Sequence, residues 1–263
     1  MILLPTRRDP RSIPNLTLWL DAADSTTLFD ATSGGSLPAA GGTVARWVDK
    51  GPSAFAFTQS TANNRPIRSA ANQKGLDGIT FDGTNDSLYA ASNVFDTGVM
   101  WLCVFKLNSS TARSMLFDIG LYATGSGSLA LEANTFQTAG SRMGLFASDG
   151  GAQGSTYDSN ITTSTSPRIC TVSASGSGSV TSNTTYRIDG VTGTLTRLNG
   201  GGNFQSYSSA SGTMIGSINV NGTASGVFAN ATIYELAAWN RQGTLAEMRW
   251  LEGYASRKWG IVA

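Results

Sequence analysis

Residues 233–261, IYELAAWNRQGTLAEMRWLEGYASRKWGI, predict a strand, a tight turn and one helix. Apolar and β-favouring residues dominate from Ala231 to Trp239, which indicates a strand. Thr244 stands three residues before Glu247, the spacing of a capping box, in which the hydroxyl and the carboxylate each accept from a backbone N–H of the first turn. Apolar residues then recur at helical spacing, and Gly260 predicts the end of the helix.

The chain before this closing unit predicts a series of short strands. VMWLCVFKL (residues 99–107) is nearly all apolar and predicts a central strand covered on both faces. GITFDGTNDSLYA (residues 78–90) predicts two strands joined by a tight Asp-Gly turn. Loops rich in Gly, Ser, Asn and Thr separate further strands at hairpin to Greek-key spacing. The pattern predicts an all-β sandwich with one short C-terminal α-helix.

Composition excludes several classes of function. The 263 residues include no histidine, so a Ser-His or Cys-His pair and an imidazole base are excluded. A net charge of +1 gives no overall attraction to nucleic acid or to an anionic membrane, and we expect neither as a partner. Cys103 and Cys170 lie in apolar strand-like runs, which favours buried free thiols over a cross-strand disulfide.

Residues 1–15 predict an extended N-terminal arm in front of a domain that spans residues 16–263. Its prolines favour extended backbone, and its apolar start followed by arginines differs from a signal peptide. Two interpretations have equal weight: a frayed terminus, or an arm that docks on a neighbouring subunit. In the second, the docking residues are Ile2, Leu3, Leu4, Arg7, Arg8 and Arg11.

Four segments together resemble the laminin-G-like jelly-roll domains of the concanavalin A-like lectin/glucanase superfamily. They are LTLWLDAAD, VARWVDKGPSAFAFTQSTANNRP, LDGITFDGTNDSL, and the closing ATIYELAAWNR with LAEMRWLEGYASRKWGI. The resemblance covers about residues 16 to 261 and is strongest at both ends. It implies a jelly-roll sandwich of two antiparallel sheets, of the type found in bacteriophage virion proteins.

The superfamily includes glucanases, which use two carboxylates on one strand face in a Glu-x-Asp-x-Glu pattern. Glu132 and Glu235 have no acidic residue two or four positions further on. Glu247 and Glu252 belong to the predicted helix, as a cap and a surface position. The sequence therefore predicts no catalytic residue and a protein that is not an enzyme.

Asp82, Asn85 and Asp86 meet in the sequence DGTND, which two interpretations fit. Laminin-G-like domains often hold calcium at a sheet rim, and Ca²⁺ prefers carboxylate and amide oxygens from a tight loop. The alternative, which we favour, is an Asx-type turn in which Asp82 accepts from backbone N–H groups.

Glycan sites in this superfamily use loop aromatics at the rim or on the concave face. The tryptophans lie in apolar periodic segments and are expected in the core. Tyr157 and Tyr207 lie in polar Gly/Ser-rich stretches and are the predicted glycan-stacking residues.

The resemblance and these exclusions together give an expected role. The leading hypothesis is a non-enzymatic bacteriophage structural protein, made in the host cytoplasm and displayed on the virion surface as a capsid decoration. Its partners would be capsid or other virion proteins, with copies of the chain forming a homo-oligomer, by analogy a trimer. The alternative is a lectin-like tail or fibre adhesin that binds host surface glycans.

Overall fold

The computed structural model describes residues 9–91, 98–120, 128–134, 141–147, 155–204, 212–220 and 222–263. Two large antiparallel sheets pack face to face. The strands are β1 Leu16–Asp21, β2 Leu28–Phe29, β3 Arg46–Val48, β4 Ala56–Thr58, β5 Ile67–Gln73, β6 Leu76–Asp82, β7 Leu88–Ala90, β8 Val99–Leu107, β9 Ser114–Gly120, β10 Ser128–Ala133, β11 Arg142–Ala147, β12 Ser155–Thr162, β13 Arg168–Ala174, β14 Thr184–Ile188, β15 Val191–Gly193, β16 Thr196–Arg197, β17 Thr213–Ile215, β18 Ser217–Val220, β19 Thr223–Phe228 and β20 Asn230–Trp239. The α-helices are α1 Val180–Asn183 and α2 Leu245–Trp259, and short 3-10 turns span Pro10–Ser12, Ser25–Thr27 and Ala62–Asn64.

Sheet 1 has eight strands in the order β15-β14-β13-β8-β20-β6-β5, and β1 pairs with the second half of β20. Sheet 2 has ten strands in the order β16-β12-β11-β10-β9-β17-β7-β4-β3-β2. A separate hairpin, β18–β19, lies against the outer face of sheet 2. Sequence neighbours often belong to different sheets, as in jelly-roll sandwiches, and the predicted fold class is confirmed.

The main core fills the space between the two sheets. Trp101 and Phe117 meet there edge to face, with ring centroids 4.9 Å apart. A second apolar layer lies between sheet 1 and α2, and a third lies between sheet 2 and the hairpin. The predicted double coverage of Val99–Leu107 is confirmed, because β8 lies inside sheet 1 with the core on one face and α2 on the other.

Helix α2 forms as its sequence predicts. The Thr244 side chain accepts from the Glu247 N–H, and the Glu247 carboxylate accepts from the Thr244 N–H at 2.8 Å. Gly260 ends the helix in the left-handed region, with φ 68°. A capping residue of this kind contributes roughly 1 kcal/mol.

The two strands and the turn predicted within residues 78–90 are present, but the two strands do not pair with each other. Strand β6 pairs with β20 in sheet 1, whereas β7 pairs with β17 and β4 in sheet 2. The turn between them therefore carries the chain from one sheet to the other. A tight-turn signal specifies the reversal but not the strands that pair afterwards.

The described part of the predicted arm, residues 9–15, folds onto the domain instead of extending from it. Ile13 is buried, and its carbonyl accepts from Nε1 of Trp239 at 3.2 Å. The carbonyl of Asn15 accepts from the Asn240 N–H at 3.1 Å. An extended arm up to residue 15 is therefore wrong for residues 9–15, because apolar burial and backbone hydrogen bonds hold them in place.

Arg11, one of the predicted docking residues, interacts within its own chain. Its guanidinium pairs with the Asp9 carboxylate and lies 5.0 Å from the Trp19 ring centroid. The other predicted docking residues are outside the described residues: Ile2, Leu3, Leu4, Arg7 and Arg8.

Cys103 and Cys170 are buried free thiols, as predicted. They are direct cross-strand partners in β8 and β13. None of the described helices is both long enough and apolar enough to cross a membrane.

Candidate functional site: a polar groove with a tyrosine floor

The outer face of sheet 2 holds a groove whose floor is a row of three side chains. Thr58 in β4 lies opposite Tyr89 in β7, and Tyr89 lies opposite Met214 in β17. Opposed residues of antiparallel strands project to the same face of a sheet. Leu88 and Ala90 belong to the core between the sheets, so the alternation of side chains directs Tyr89 outward.

Two walls complete the groove, whose volume is about 490 Å³. The loop after β4 and the start of β7 form one wall, and the turn of the β18–β19 hairpin forms the other. The wall residues are Gln59, Ser60, Thr61, Asn64, Ser87, Gly222, Thr223 and Ala224. Every described residue of the lining is uncharged, and most of them are polar.

Two glycines allow the backbone to close around Tyr89. Gly212 has φ 66°, and a Cβ atom there would lie 2.6 Å from the Tyr89 side chain. Gly222 has φ 82°, and a Cβ atom there would lie 3.2 Å from the Tyr89 hydroxyl. Both angles lie in the left-handed region that favours glycine. Side chains at these positions would push the ring out of its place in the floor.

The rim loop is held by its own hydrogen bonds. Nε2 of Gln59 donates to the Ser87 Oγ at 3.1 Å, and Oε1 of Gln59 accepts from the Thr61 N–H at 3.0 Å. Within the described part of the chain, the Tyr89 hydroxyl and the Asn64 side-chain amide make no hydrogen bond. A hydroxyl and an amide both donate and accept, so the groove offers a ligand both kinds of partner.

The hairpin wall is seated on sheet 2 by apolar contacts and by one buried carboxylate. Ile218 packs against a small apolar cluster that includes Phe146. Beside it, Oδ2 of Asp118 accepts from the Asn219 N–H at 2.9 Å, and Nδ2 of Asn219 donates to the Gly120 carbonyl at 2.6 Å. Oδ1 of Asn219 accepts from the N–H of the groove residue Gly222 at 2.9 Å. Through Asn219, Asp118 therefore helps to hold the hairpin wall of the groove, of which Gly222 is the first residue.

Asp118 lies beneath the hairpin with no solvent exposure. Burial raises its pKa to about 7, against the opposing effect of the hydrogen bond from the Asn219 N–H. The carboxylate that supports the groove wall therefore titrates near neutral pH.

The glutamates that were weighed as catalytic residues lie away from the groove lining. Glu132 is buried and pairs with Arg113. Glu235 is buried under α2, where it accepts from Trp19 Nε1 at 2.7 Å and from Trp259 Nε1 at 2.6 Å. Burial raises the pKa of Glu235, and the nearby Lys258 opposes that rise. Both carboxylates hold structural elements together.

In the acidic turn that was considered as a calcium site, the carboxylates accept hydrogen bonds from the backbone of the turn itself. Oδ1 of Asp82 accepts from the Thr84 N–H at 2.7 Å and from the Asn85 N–H at 3.3 Å. Oδ2 of Asp86 accepts from the Asp82 N–H at 3.0 Å. Burial and the charge of Asp82 raise the Asp86 pKa to about 6. The favoured Asx-turn geometry is present, and calcium binding stays a prediction.

The prediction that Tyr157 stacks on a glycan is wrong. Its side chain is fully buried in the main core, because β12 pairs with β11 inside sheet 2 and turns this residue inward. Tyr207, the second predicted stacking residue, is outside the described residues.

Comparison with solved structures places the fold among known sandwiches. A sialidase from Trypanosoma rangeli aligns with a TM-score of 0.52 and 14% identity, over 94% of this chain and 33% of that chain. Domain 4 of a GH43 extracellular arabinanase from Geobacillus stearothermophilus aligns with a TM-score of 0.46 and 14% identity, over 92% of this chain and 98% of that domain. The CBM40 domain of a Ruminococcus gnavus sialidase aligns with a TM-score of 0.44 and 13% identity, over 65% of this chain and 94% of that chain.

The chain spans about a third of the length of the sialidase it matches. The alignment with the sialidase supports the fold alone, a jelly-roll sandwich of two antiparallel sheets. Comparison of the sequence with protein-family models gives no match, and comparison with curated proteins gives none either.

Sequence reasoning missed the groove. Tyr89 lies in the stretch SLYA, where its alternation with two inward apolar neighbours was a usable signal of an outward aromatic. The neighbours that make this aromatic a floor are remote in sequence. Thr58 and Met214 are brought to Tyr89 by strand order, which the sequence alone did not specify.

Proposed function

We propose that the protein is a non-enzymatic carbohydrate-binding module whose site is the groove over Tyr89. The observation that supports this most is the lining: one aromatic ring surrounded by amides, hydroxyls and backbone groups, with no charged residue among those described. Sugars present apolar C–H faces together with hydroxyl groups. An aromatic face contacts the former, and amides and hydroxyls bond the latter.

The carboxylates support a binding role over hydrolysis. Glycoside hydrolysis needs two carboxyl groups that flank the scissile bond. The described lining contains none, whereas Glu132 and Glu235 are buried and engaged elsewhere. A bound sugar would therefore be held in the groove without being cleaved.

The test is a glycan array followed by titration calorimetry of the strongest ligand, with Tyr89→Ala as the variant. We expect binding that weakens about tenfold or more, since loss of an aromatic contact of this kind costs on the order of 1–2 kcal/mol. Trp250→Ala is the matched control, because Trp250 is a partly buried aromatic of α2, on the opposite side of the sandwich. Equal affinity of wild type and Tyr89→Ala would remove the groove as the site.

Display on a bacteriophage surface is a second proposal, supported by the sequence resemblance. A sandwich repeated on a particle would gain avidity for a surface glycan, so display and binding are compatible. Co-sedimentation with undecorated capsid shells tests it, comparing the full chain with one that lacks residues 1–8. Saturable binding supports a decoration role, and absence of binding by both forms contradicts it.

A further inference from the structure

We infer that the groove continues across sheet 2 to a second subsite, in which Arg46 binds an anionic group of an extended saccharide. This inference rests on the proposed carbohydrate-binding function and adds a ligand class to it: oligosaccharides that carry a carboxylate or sulfate. It follows from the strand register, from the environment of Arg46 and from the charge of the neighbouring groove.

The floor row does not end at Thr58. Thr58 lies opposite Arg46 in β3, and Arg46 lies opposite Phe29 in β2. Trp47, which follows Arg46 in β3, and Phe57, which precedes Thr58 in β4, belong to the core between the sheets. Because side chains alternate along a strand, Arg46 faces outward, on the same face of the sheet as Tyr89. With strands spaced about 4.8 Å apart, Arg46 lies roughly 10 Å from Tyr89 across the sheet. That span exceeds one sugar ring, so a ligand that reaches both is an oligosaccharide.

The guanidinium of Arg46 is held in place on this face. It lies 4.1 Å from the centroid of the Phe29 ring. Nη2 donates to the Gly34 carbonyl at 2.6 Å, and Nη1 donates to the Thr32 carbonyl at 3.3 Å. A cation fixed by stacking and by backbone carbonyls has lost its side-chain freedom before a ligand arrives, which lowers the cost of binding.

Arg46 also keeps unused capacity for an anion. Its two hydrogen bonds to carbonyls use two of the five N–H donors of a guanidinium, and Nε is buried without a partner among the described residues, which leaves one N–H on each of Nη1 and Nη2 for a ligand. Neither bond is to a carboxylate, and within the described part of the chain Arg46 forms no ion pair. Its side chain is partly exposed. The planar guanidinium is suited to carboxylate and sulfate groups, which offer paired oxygens.

The difference in charge between the two ends of the floor row determines which saccharides the groove would select. Around Tyr89 the described lining is uncharged, and the nearby Arg65 is hydrogen-bonded to the carbonyls of Gln59, Ser60 and Asp30. Arg46 places its positive charge over Phe29, at the far end of the row. The geometry thus suits a chain that is neutral over Tyr89 and anionic over Arg46.

Titration of paired probes tests this subsite: xylo-oligosaccharides without acidic groups, the same oligosaccharides with glucuronic acid branches, and oligogalacturonate. The variants are Arg46→Gln and Arg46→Lys, with Arg197→Gln as the matched control. Arg197 is an exposed arginine in β16, at the opposite edge of the same sheet, and it too donates to a backbone carbonyl, that of Gly201 at 2.8 Å. Thermal unfolding of each variant checks that it is folded.

We expect Arg46→Gln to weaken binding of the acidic probes about tenfold or more, the effect of losing a charge-assisted hydrogen bond. Binding of the neutral probes should change less than about twofold. Arg46→Lys should fall between, since it keeps the charge without the planar fork. Arg197→Gln should bind as wild type does.

Each other outcome overturns a stated claim. If Tyr89→Ala weakens binding but Arg46→Gln affects acidic and neutral probes alike, the anionic subsite is wrong and the carbohydrate groove stands. If acidic probes depend on Arg46 but not on Tyr89, the groove assignment is wrong, and with it a subsite that extends the groove. If no acidic probe binds the wild type, the anionic subsite is wrong, and the glycan array decides the carbohydrate groove separately.

Discussion

The backbone N–H of Asn219 in the β18–β19 hairpin donates to Oδ2 of Asp118, a fully buried residue of the sheet below, at 2.9 Å. This bond connects the hairpin that forms one groove wall to the sheet that forms the floor. Asn219 in turn accepts from Gly222, the first residue of the wall. The position of the wall therefore depends on a carboxyl group whose pKa burial raises to about 7.

We expect Asp118→Asn to alter how stability depends on pH. The native state keeps the Asp118 proton up to its raised pKa of about 7, whereas the unfolded chain releases it near the ordinary value of about 4. Native protein thus binds more protons between these values, and this residue's contribution to stability falls as pH rises through that window. Asparagine keeps an acceptor for Asn219 and removes the titration.

Urea unfolding of the two proteins at about pH 4 and about pH 8 measures the effect, with an expected shift of roughly 2–4 kcal/mol in favour of the variant on going to the higher pH. Other titrating groups, Asp86 and Glu235 among them, cancel in the difference between variant and wild type. A difference in unfolding free energy that stays constant with pH would contradict the assignment.

Glu252, predicted as a surface position of the helix, is instead buried, and its ion pair with Arg187 should stabilise the docking of α2 on sheet 1. Nε and Nη2 of Arg187 donate to the two carboxylate oxygens at 2.8 and 3.0 Å, and Thr171 Oγ1 donates to Oε1 at 2.8 Å. Removing one partner leaves a buried charge, so Arg187→Met should cost roughly 3–5 kcal/mol. Adding Glu252→Leu should recover part of that loss.

A double-mutant cycle from chemical denaturation tests this coupling. It includes both single variants and the double variant, and the two positions are in direct contact, so their effects should not add. Additive losses would show that the pair contributes no specific interaction.

Glu235, which lies under α2, should matter more to stability than Glu247, which belongs to the first turn of α2. Glu235 accepts from Trp19, Trp259 and Tyr254 without solvent exposure. In Glu235→Gln the side-chain amide N–H would face an indole N–H, so two donors would meet without an acceptor. We expect the free energy of unfolding to fall by roughly 2–4 kcal/mol. Glu247→Gln keeps the exposed cap and should cost under about 1 kcal/mol. Equal shifts in the midpoint of thermal unfolding would contradict this ranking.

The two thiols should be unreactive in the folded protein. Cys103 and Cys170 have no solvent exposure, and burial raises both pKa values, that of Cys103 further through the neighbouring Cys170. A buried neutral thiol reacts slowly because the thiolate is the nucleophile. Maleimide labelling should therefore proceed at the rate of unfolding and be fast in denaturant. Fast labelling of native protein would show that the β8–β13 region opens readily.

The C-terminal helix was predictable because its signals are local. The capping box at Thr244 and Glu247 and the stop at Gly260 each depend on residues within one or two helical turns, and all are present. Burial of Cys103 followed from its apolar run, since a strand of that composition needs cover on both faces.

The groove was not predictable because it depends on strand order. Tyr157 lies in a polar stretch, yet its strand turns it into the core, whereas Tyr89 has apolar neighbours and faces out. Local composition cannot decide between such faces, because a shift of one residue in register reverses them. The contact of Tyr89 with Thr58 and Met214 joins three distant segments of the chain.

The central claim is that Tyr89 forms the floor of a carbohydrate site, and calorimetric titration of wild type, Tyr89→Ala and Trp250→Ala with the strongest glycan-array ligand tests it most directly. We predict saturable binding by wild type and Trp250→Ala, and binding weakened about tenfold or more in folded Tyr89→Ala. Undiminished binding by Tyr89→Ala, or absence of any glycan ligand for the wild type, would contradict the claim.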